Sequence, residues 1–289
     1  MSVKWSKDLE TGIPFVDSDH KILVNLIGQT SHCLSTREDS QILSSILSTL
    51  VEYIDFHFSR EEMMMEVSNY HGIREHKREH LKLANKVREL YYGFGADSES
   101  ISAAELSNFL NEWLIEHIMG TDFLYRDSCL SHAMDKNVLS RVPFQNGNGT
   151  DIKNNAPDYS LMRVMLVDDN ENFRTLVKTI LKAAGITNID CIASPLDAID
   201  KLNDRPADVV LCDCVMDEMS GPAFAEKIKE MGIPSKIVLL TGYNDYDIRN
   251  IYPDHDIAEL TSGLLEKPVT PSMLINAILN SLSVSSSYH

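Results

Sequence analysis

The apolar rhythm of this 289-residue chain changes once, and that change limits the fold more than any other feature. Up to about residue 132 the apolar side chains recur at helical spacing. They run through Ile22, Leu23, Leu26 and Ile27, then Ile42, Ile46, Leu47, Leu50 and Ile54. Leu81, Leu83, Val87 and Leu90 follow, then Phe109, Leu110 and Trp113. Four long helices with short connections predict an antiparallel, up-down four-helix bundle. After about residue 160 the runs are short: MRVMLVDD, then 188–192, 209–212, 236–240 and 263–265, with helix-like segments between them. Strand and helix alternating at this interval predict a parallel sheet covered on both faces. Between the two rhythms lies KNVLSRVPFQNGNGTDIKNNAPDYS, rich in Gly, Asn and Pro and without periodicity, which is linker composition. The expected organisation is an all-α unit over 1–135, a linker over 136–160 and an α/β unit over 161–289.

Charge narrows the partners. Lys and Arg total 26 against 43 Asp and Glu, a formal net charge of −17. Nucleic acid needs a basic stripe and an anionic membrane needs a basic patch, so neither is an expected partner. No apolar run reaches the 18 or so residues of a membrane-spanning helix. The start, MSVKWSKDLE, lacks the apolar core of a secretory leader. The expected compartment is the cytoplasm. The five cysteines (Cys33, Cys129, Cys191, Cys212 and Cys214) are scattered and odd in number, which predicts buried free thiols rather than a disulfide framework.

Histidine is distributed unevenly: eight of ten precede residue 133. His57 and Glu61 are four apart, as are His76 and His80, so each pair projects from one helix face on consecutive turns. His20 opens the first helix, and His117 with Asp122 closes the fourth. Each helix thus offers metal ligands. Five imidazoles and two carboxylates exceed the needs of one four-coordinate zinc. They suit a pair of irons with bridging carboxylates and a shared oxo or hydroxo group. In that arrangement the iron with three His is full, and the iron with two His keeps one open position where O2 can bind. His117 and Asp122 are five residues apart, about 140° around an ideal helix. They converge only if the helix widens or breaks, which predicts a π-type turn or a break at 119–121. His32, His71 and His132 fit no ligand position and are expected on the surface or at helix ends. Of Met63, Met64 and Met65, some must pack in the core.

The segments VDSDHKIL, YIDFHFSREEMMM, HKREH and WLIEHIMGTD resemble a hemerythrin domain of the bacterial type, over about residues 3–132. The resemblance implies that His76, His80 and His117 ligate one iron and His20 and His57 the other, with Glu61 and Asp122 bridging. It also implies reversible O2 binding.

In the second half, Asp168 and Asp169 end the first strand, Asp213 the third, Thr241 the fourth and Lys267 the fifth. Strand carboxyl ends share one edge of a parallel sheet, where such folds carry their sites. Three clustered carboxylates call for a hard cation, and Mg2+ suits them. An Asp beside Mg2+, Lys and a Thr hydroxyl is equipped to accept a phosphoryl group. Residues 162–283 resemble a response-regulator receiver domain, which implies a flavodoxin-like (βα)5 doubly wound sheet. The resemblance implies Asp213 as phospho-acceptor, Asp168 and Asp169 as Mg2+ ligands with the Cys214 main-chain carbonyl, and Thr241 and Lys267 at the phosphate. It also implies a cis Lys267–Pro268 peptide. Departures fall on the signalling side: Asp217 where Pro is usual, Gly242 where Ala is common, Leu264 at the aromatic switch position, and a long Thr-to-Lys stretch containing Pro253.

Together these readings predict an O2-binding di-iron response regulator, coupling O2 or redox sensing to aspartyl phosphorylation in a two-component phosphorelay. The partners are O2, a cognate histidine kinase or phosphotransfer protein, and a second copy of the chain. No enzyme activity is expected beyond the receiver's own phosphoryl transfer. Two alternatives stay open: an O2 store docked to a signalling complex by its receiver, and a di-iron peroxidase or NO-reactive enzyme.

Overall fold

The structure is a computed structural model that describes residues 4–36, 40–96, 103–130, 159–243, 248 and 250–283. The chain divides into two compact units, Met1–Val142 and Pro143–His289. Of the expected 136–160 linker only residues 159 and 160 are described, and they open a short 3-10 turn, Tyr159–Leu161. His132 also lies outside the described residues.

The first unit is helical. Its long helices are α1 (Pro14–Thr36), α2 (Ser40–Val67), α3 (Ile73–Ala96) and α4 (Ala103–His117). α1 packs on α2 and α4, and α2 on α3. The turn from α2 to α3 spans only five residues, with Asn69 in the left-handed region at φ 51°. So short a link between long packed helices makes them antiparallel. Leu26, Ile27, Ile46, Leu50 and Leu110 fill the centre, fully buried.

One helix departs from the expected stripe. On α3, Leu81 is 61% exposed, and the buried face runs through His76, His80, Ala84 and Val87. The polar histidines are themselves the inward face, so Leu81, about 100° further around than His80, points away. Met64 and Met65 are buried while Met63 is exposed, and His32 and His71 lie on the surface.

After His117 the helix widens into a π-turn over Ile118–Asp122, then resumes as α5 (Phe123–Leu130). This is the local winding that the five-residue His–Asp spacing predicts.

The second unit is a five-stranded parallel sheet in the order β2-β1-β3-β4-β5. The strands are β1 (Arg163–Val167), β2 (Asn188–Ile192), β3 (Val209–Asp213), β4 (Lys236–Thr241) and β5 (Gly263–Glu266). The helices are α6 (Glu171–Ala183), α7 (Pro195–Asp204), α8 (Gly221–Glu230), α9 (Ile257–Leu260) and α10 (Pro271–Ser283). Every residue of β1 and β3 is buried, as both flank the sheet centre, whereas edge strand β2 is half-buried. α6 covers the sheet with Phe173, Leu176, Val177, Ile180 and Leu181. The helix starts are punctuated by side chains that accept from backbone amides three residues on: Asn170 from Phe173, Ser194 from Asp197 and Ser220 from Ala223. Pro195 and Pro222 sit in first turns, where a missing N–H leaves nothing unpaired. The five cysteines are free, and only Cys191 is not fully buried. Burial, with the Asp213 charge beside it, pushes the Cys214 thiol up to about 12. No helix among the described residues is long and apolar enough to cross a membrane.

Candidate metal centre and phospho-acceptor site

In the bundle, α1, α2, α3 and the α4 π-turn deliver seven buried side chains to one place. One group comprises Glu61, His76, His80, His117 and Asp122, and a second His20, His57 and Glu61; within each, the ligand atoms lie within 4.8 Å of one another. Asp122 faces both groups: Oδ1 lies 3.2 Å from His117 Nε2 and 3.5 Å from His76 Nε2, and Oδ2 lies 3.2 Å from His20 Nε2. Glu61 does the same, with Oε1 3.8 Å from His20 Nε2 and Oε2 3.3 Å from His80 Nε2 and 3.7 Å from His57 and His76 Nε2.

Several of these atoms have no hydrogen-bond partner: the Nε2 of His20, His57 and His117, Glu61 Oε2 and both Asp122 oxygens. Leaving one buried polar atom unsatisfied costs about 1–3 kcal/mol, so six converging on one spot ask for a shared electrophile. The donor set, imidazole with carboxylate, fits a pair of transition-metal ions. The electrostatics agree. Burial holds His20 below its ordinary range and His117 well below it, which keeps their rings neutral and able to ligate. Burial, with the Glu61 charge, pushes Asp122 well up. Burial acts to raise Glu61 too, but the surrounding imidazoles outweigh it and hold that carboxyl well down.

Around these seven stands a second layer that motif spacing did not reveal. The Tyr125 hydroxyl donates to Glu61 Oε1. Asp19 is buried, accepting from Arg60 Nη1 at 2.9 Å and from Tyr53 Oη at 2.9 Å, with His57 Nδ1 3.5 Å away. Glu62 Oε1 lies 2.9 Å from His80 Nδ1. Phe58 stacks on the His80 ring, centroids 3.7 Å apart and planes 6° from parallel. The available signal was adjacency: Asp19 precedes His20, Glu62 follows Glu61, and Tyr125 is three residues beyond Asp122.

In the α/β unit the expected residues also meet. Carboxylate oxygens of Asp168, Asp169 and Asp213 lie within 4.8 Å of one another. Lys267 Nζ, carried in by the cis Lys267–Pro268 peptide, donates to Asp168 Oδ2 at 3.1 Å and Asp213 Oδ1 at 2.9 Å. Thr241, fully buried at the end of β4, accepts from the Tyr243 amide at 2.9 Å. Burial, opposed by Lys267 and reinforced by Asp213, raises Asp168 from 3.8 to about 6. Burial raises Asp213 as well, again against Lys267.

The Cys214 carbonyl, expected at Mg2+, is hydrogen-bonded within the protein. It accepts from the Gly221 amide at 2.9 Å and from Tyr252 Oη at 3.0 Å. These two donors engage both lone pairs of that oxygen. Leu264 packs against the sheet core, and the aromatic group near the acceptor loop is Tyr252.

A His- and carboxylate-lined helical bundle, joined in one chain to a parallel α/β unit with an acid–Lys edge, defines a cation-binding domain fused to a receiver-type domain. Residues 11–127 match the hemerythrin HHE cation binding domain, and residues 164–279 the response regulator receiver domain. The bacteriohemerythrin of Pseudomonas aeruginosa is 33% identical over 137 residues, 47% of this chain and 87% of that protein. A solved wild-type hemerythrin is 27% identical, covering 46% of this chain and 100% of its own, with a TM-score of 0.42. A receiver domain from Clostridium thermocellum is 24% identical, covering 43% and 97%, with a TM-score of 0.38. Through its first half the chain belongs to the hemerythrin family, and its second half is a response-regulator receiver domain.

Proposed function

We propose that the chain is an O2-binding di-iron response regulator in which metal-centre state and aspartyl phosphorylation are two inputs to one molecule. The observation that carries this reading is the set of unpaired, buried lone pairs converging in the bundle. His76, His80 and His117 would hold one iron and His20 and His57 the other, with Glu61 and Asp122 offering carboxylate oxygens to both. A bound iron pair supplies reversible O2 coordination. Burial by the chain's own residues keeps the His20 and His117 rings neutral and excludes water, and Tyr125 holds Glu61 in place.

In the receiver, Asp168 and Asp169 hold Mg2+, which supplies charge to the phosphoryl oxygens. An Asp213 carboxylate oxygen would attack the phosphorus of the donor's phosphohistidine as its P–N bond breaks and the donor imidazole leaves, while Lys267 balances the charge at the Asp213 carboxylate and Thr241 offers its hydroxyl from the neighbouring strand. The donor is a histidine kinase or phosphotransfer protein, and residues 136–160 link the domains. O2 affinity of the iron-loaded full chain, followed optically with and without an acyl-phosphate mimic and Mg2+, tests the coupling. The expected result is a shifted affinity, and by linkage O2 must shift mimic binding equally. Equal affinities in both directions would refute coupling and leave O2 storage. Multiple turnover with H2O2 or NO would replace O2 sensing by catalysis.

A further inference from the structure

We propose that Glu62, which supplies no ligand itself, is a positioning residue of the metal centre, acting on the iron held by His80; the inference rests on the di-iron reading above. Glu61 and Glu62 are consecutive on α2, about 100° apart around the helix. Glu61 therefore points into the cluster, while Glu62 reaches round the outer edge of the His80 ring on α3. Phe58, four residues before Glu62, lies on the same face and stacks flat on that ring. α2 thus grips His80 twice: Phe58 sets the ring plane, and Glu62 takes Nδ1 at 2.9 Å.

An ionised carboxylate only accepts hydrogen bonds, so Nδ1 carries a proton and Nε2 is the nitrogen that faces inward, 2.9 Å from His76 Nε2 and 3.3 Å from Glu61 Oε2. Such a carboxylate also makes the imidazole a stronger donor to a metal. The second histidine group has its own backing carboxylate, Asp19, beside His57. Asp19 is buried and its charge is met by Arg60 at 2.9 Å. Glu62 differs: its side chain is 26% exposed, and Lys77 stands further off at 3.5 Å. Of the two backing groups it is the less closely paired with a cation, and it is the one that reaches the surface.

The test is anaerobic Fe2+ binding to the full chain, measured by chelator competition, together with the midpoint potential of the loaded centre. Glu62→Ala should weaken Fe2+ binding about 10- to 100-fold. Glu62→Gln keeps an acceptor for the Nδ1 proton but not the charge, so it should bind more tightly than Glu62→Ala and show a higher midpoint potential than the parent chain. Glu75→Ala, which removes an exposed acid on α3, should match the parent. Parental affinity and potential in both Glu62 variants overturn the inference. So does a loss in Glu62→Ala matched by a fall in the thermal midpoint of the metal-free chain, which marks a merely structural role. A parent chain that binds no Fe2+ refutes the di-iron reading itself, a result distinct from either.

Discussion

Replacing Asp168 with Asn is expected to stabilise the metal-free receiver unit. Asp168 is fully buried, and burial with the Asp213 charge lifts its carboxyl from 3.8 to about 6 despite Lys267. A group that holds its proton more tightly when folded favours the fold at low pH. That contribution is complete below 3.8 and is lost as pH rises through about 6. The span corresponds to about 3 kcal/mol, the ceiling for what Asn can recover at pH 7.5. Asn keeps the acceptor that takes the Asn170 amide at 2.8 Å, but forfeits attraction to Lys267, which retains Asp213. The net gain should be about 1–3 kcal/mol at pH 7.5, fading to nothing near pH 4. The assay is native-state hydrogen exchange of the β1 and β3 amides in the full chain with divalent cations chelated, which reads this unit alone. Saturating Mg2+ should reverse the order, because the parent keeps all three carboxylates of the proposed site and the variant only two, and parental Mg2+ affinity should fall as pH drops through about 6. A variant no more stable than the parent at pH 7.5, or a gain independent of pH, would refute the reasoning.

Three further outcomes are expected. His76→Ala removes a ligand from the three-histidine group, so iron content by elemental analysis should fall from two per chain to one or fewer; two retained irons would contradict the assigned set. Gly221→Ala places a Cβ 2.3 Å from the Asp213 carbonyl oxygen and 3.0 Å from Cys214 Cα. That backbone must shift, at about 1–3 kcal/mol, and labelling by acetyl phosphate should drop although no acid is changed; normal labelling would show that the loop yields freely. Tyr252→Phe deletes the hydroxyl that donates to the Cys214 carbonyl, and should cost about 0.5–1.5 kcal/mol in urea unfolding of this unit.

Much of this molecule was written in local pattern. The i,i+4 pairs His57–Glu61 and His76–His80 needed only helical periodicity to be placed on one face, and the five-residue gap from His117 to Asp122 required the π-turn over Ile118–Asp122. Asp168, Asp213, Thr241 and Lys267 end the first, third, fourth and fifth strands, and a parallel sheet brings such ends to one edge whatever the packing. Tertiary structure decided what depends on contacts between elements far apart in sequence. Leu81 reads as core by apolarity, yet it faces outward because the histidines occupy the inward face of α3. The hydrogen bond from Tyr252 to the Cys214 carbonyl joins residues 38 apart, and no local spacing announces it. Asp19 and Glu62 fit no spacing motif; only the closure of α1 against α2, and of α2 against α3, sets them behind His57 and His80. Periodicity fixes which way a side chain leaves its own helix or strand, so the convergence of these side chains was legible. What each ligand leans on is set by a neighbouring element, and no spacing within one segment encodes it.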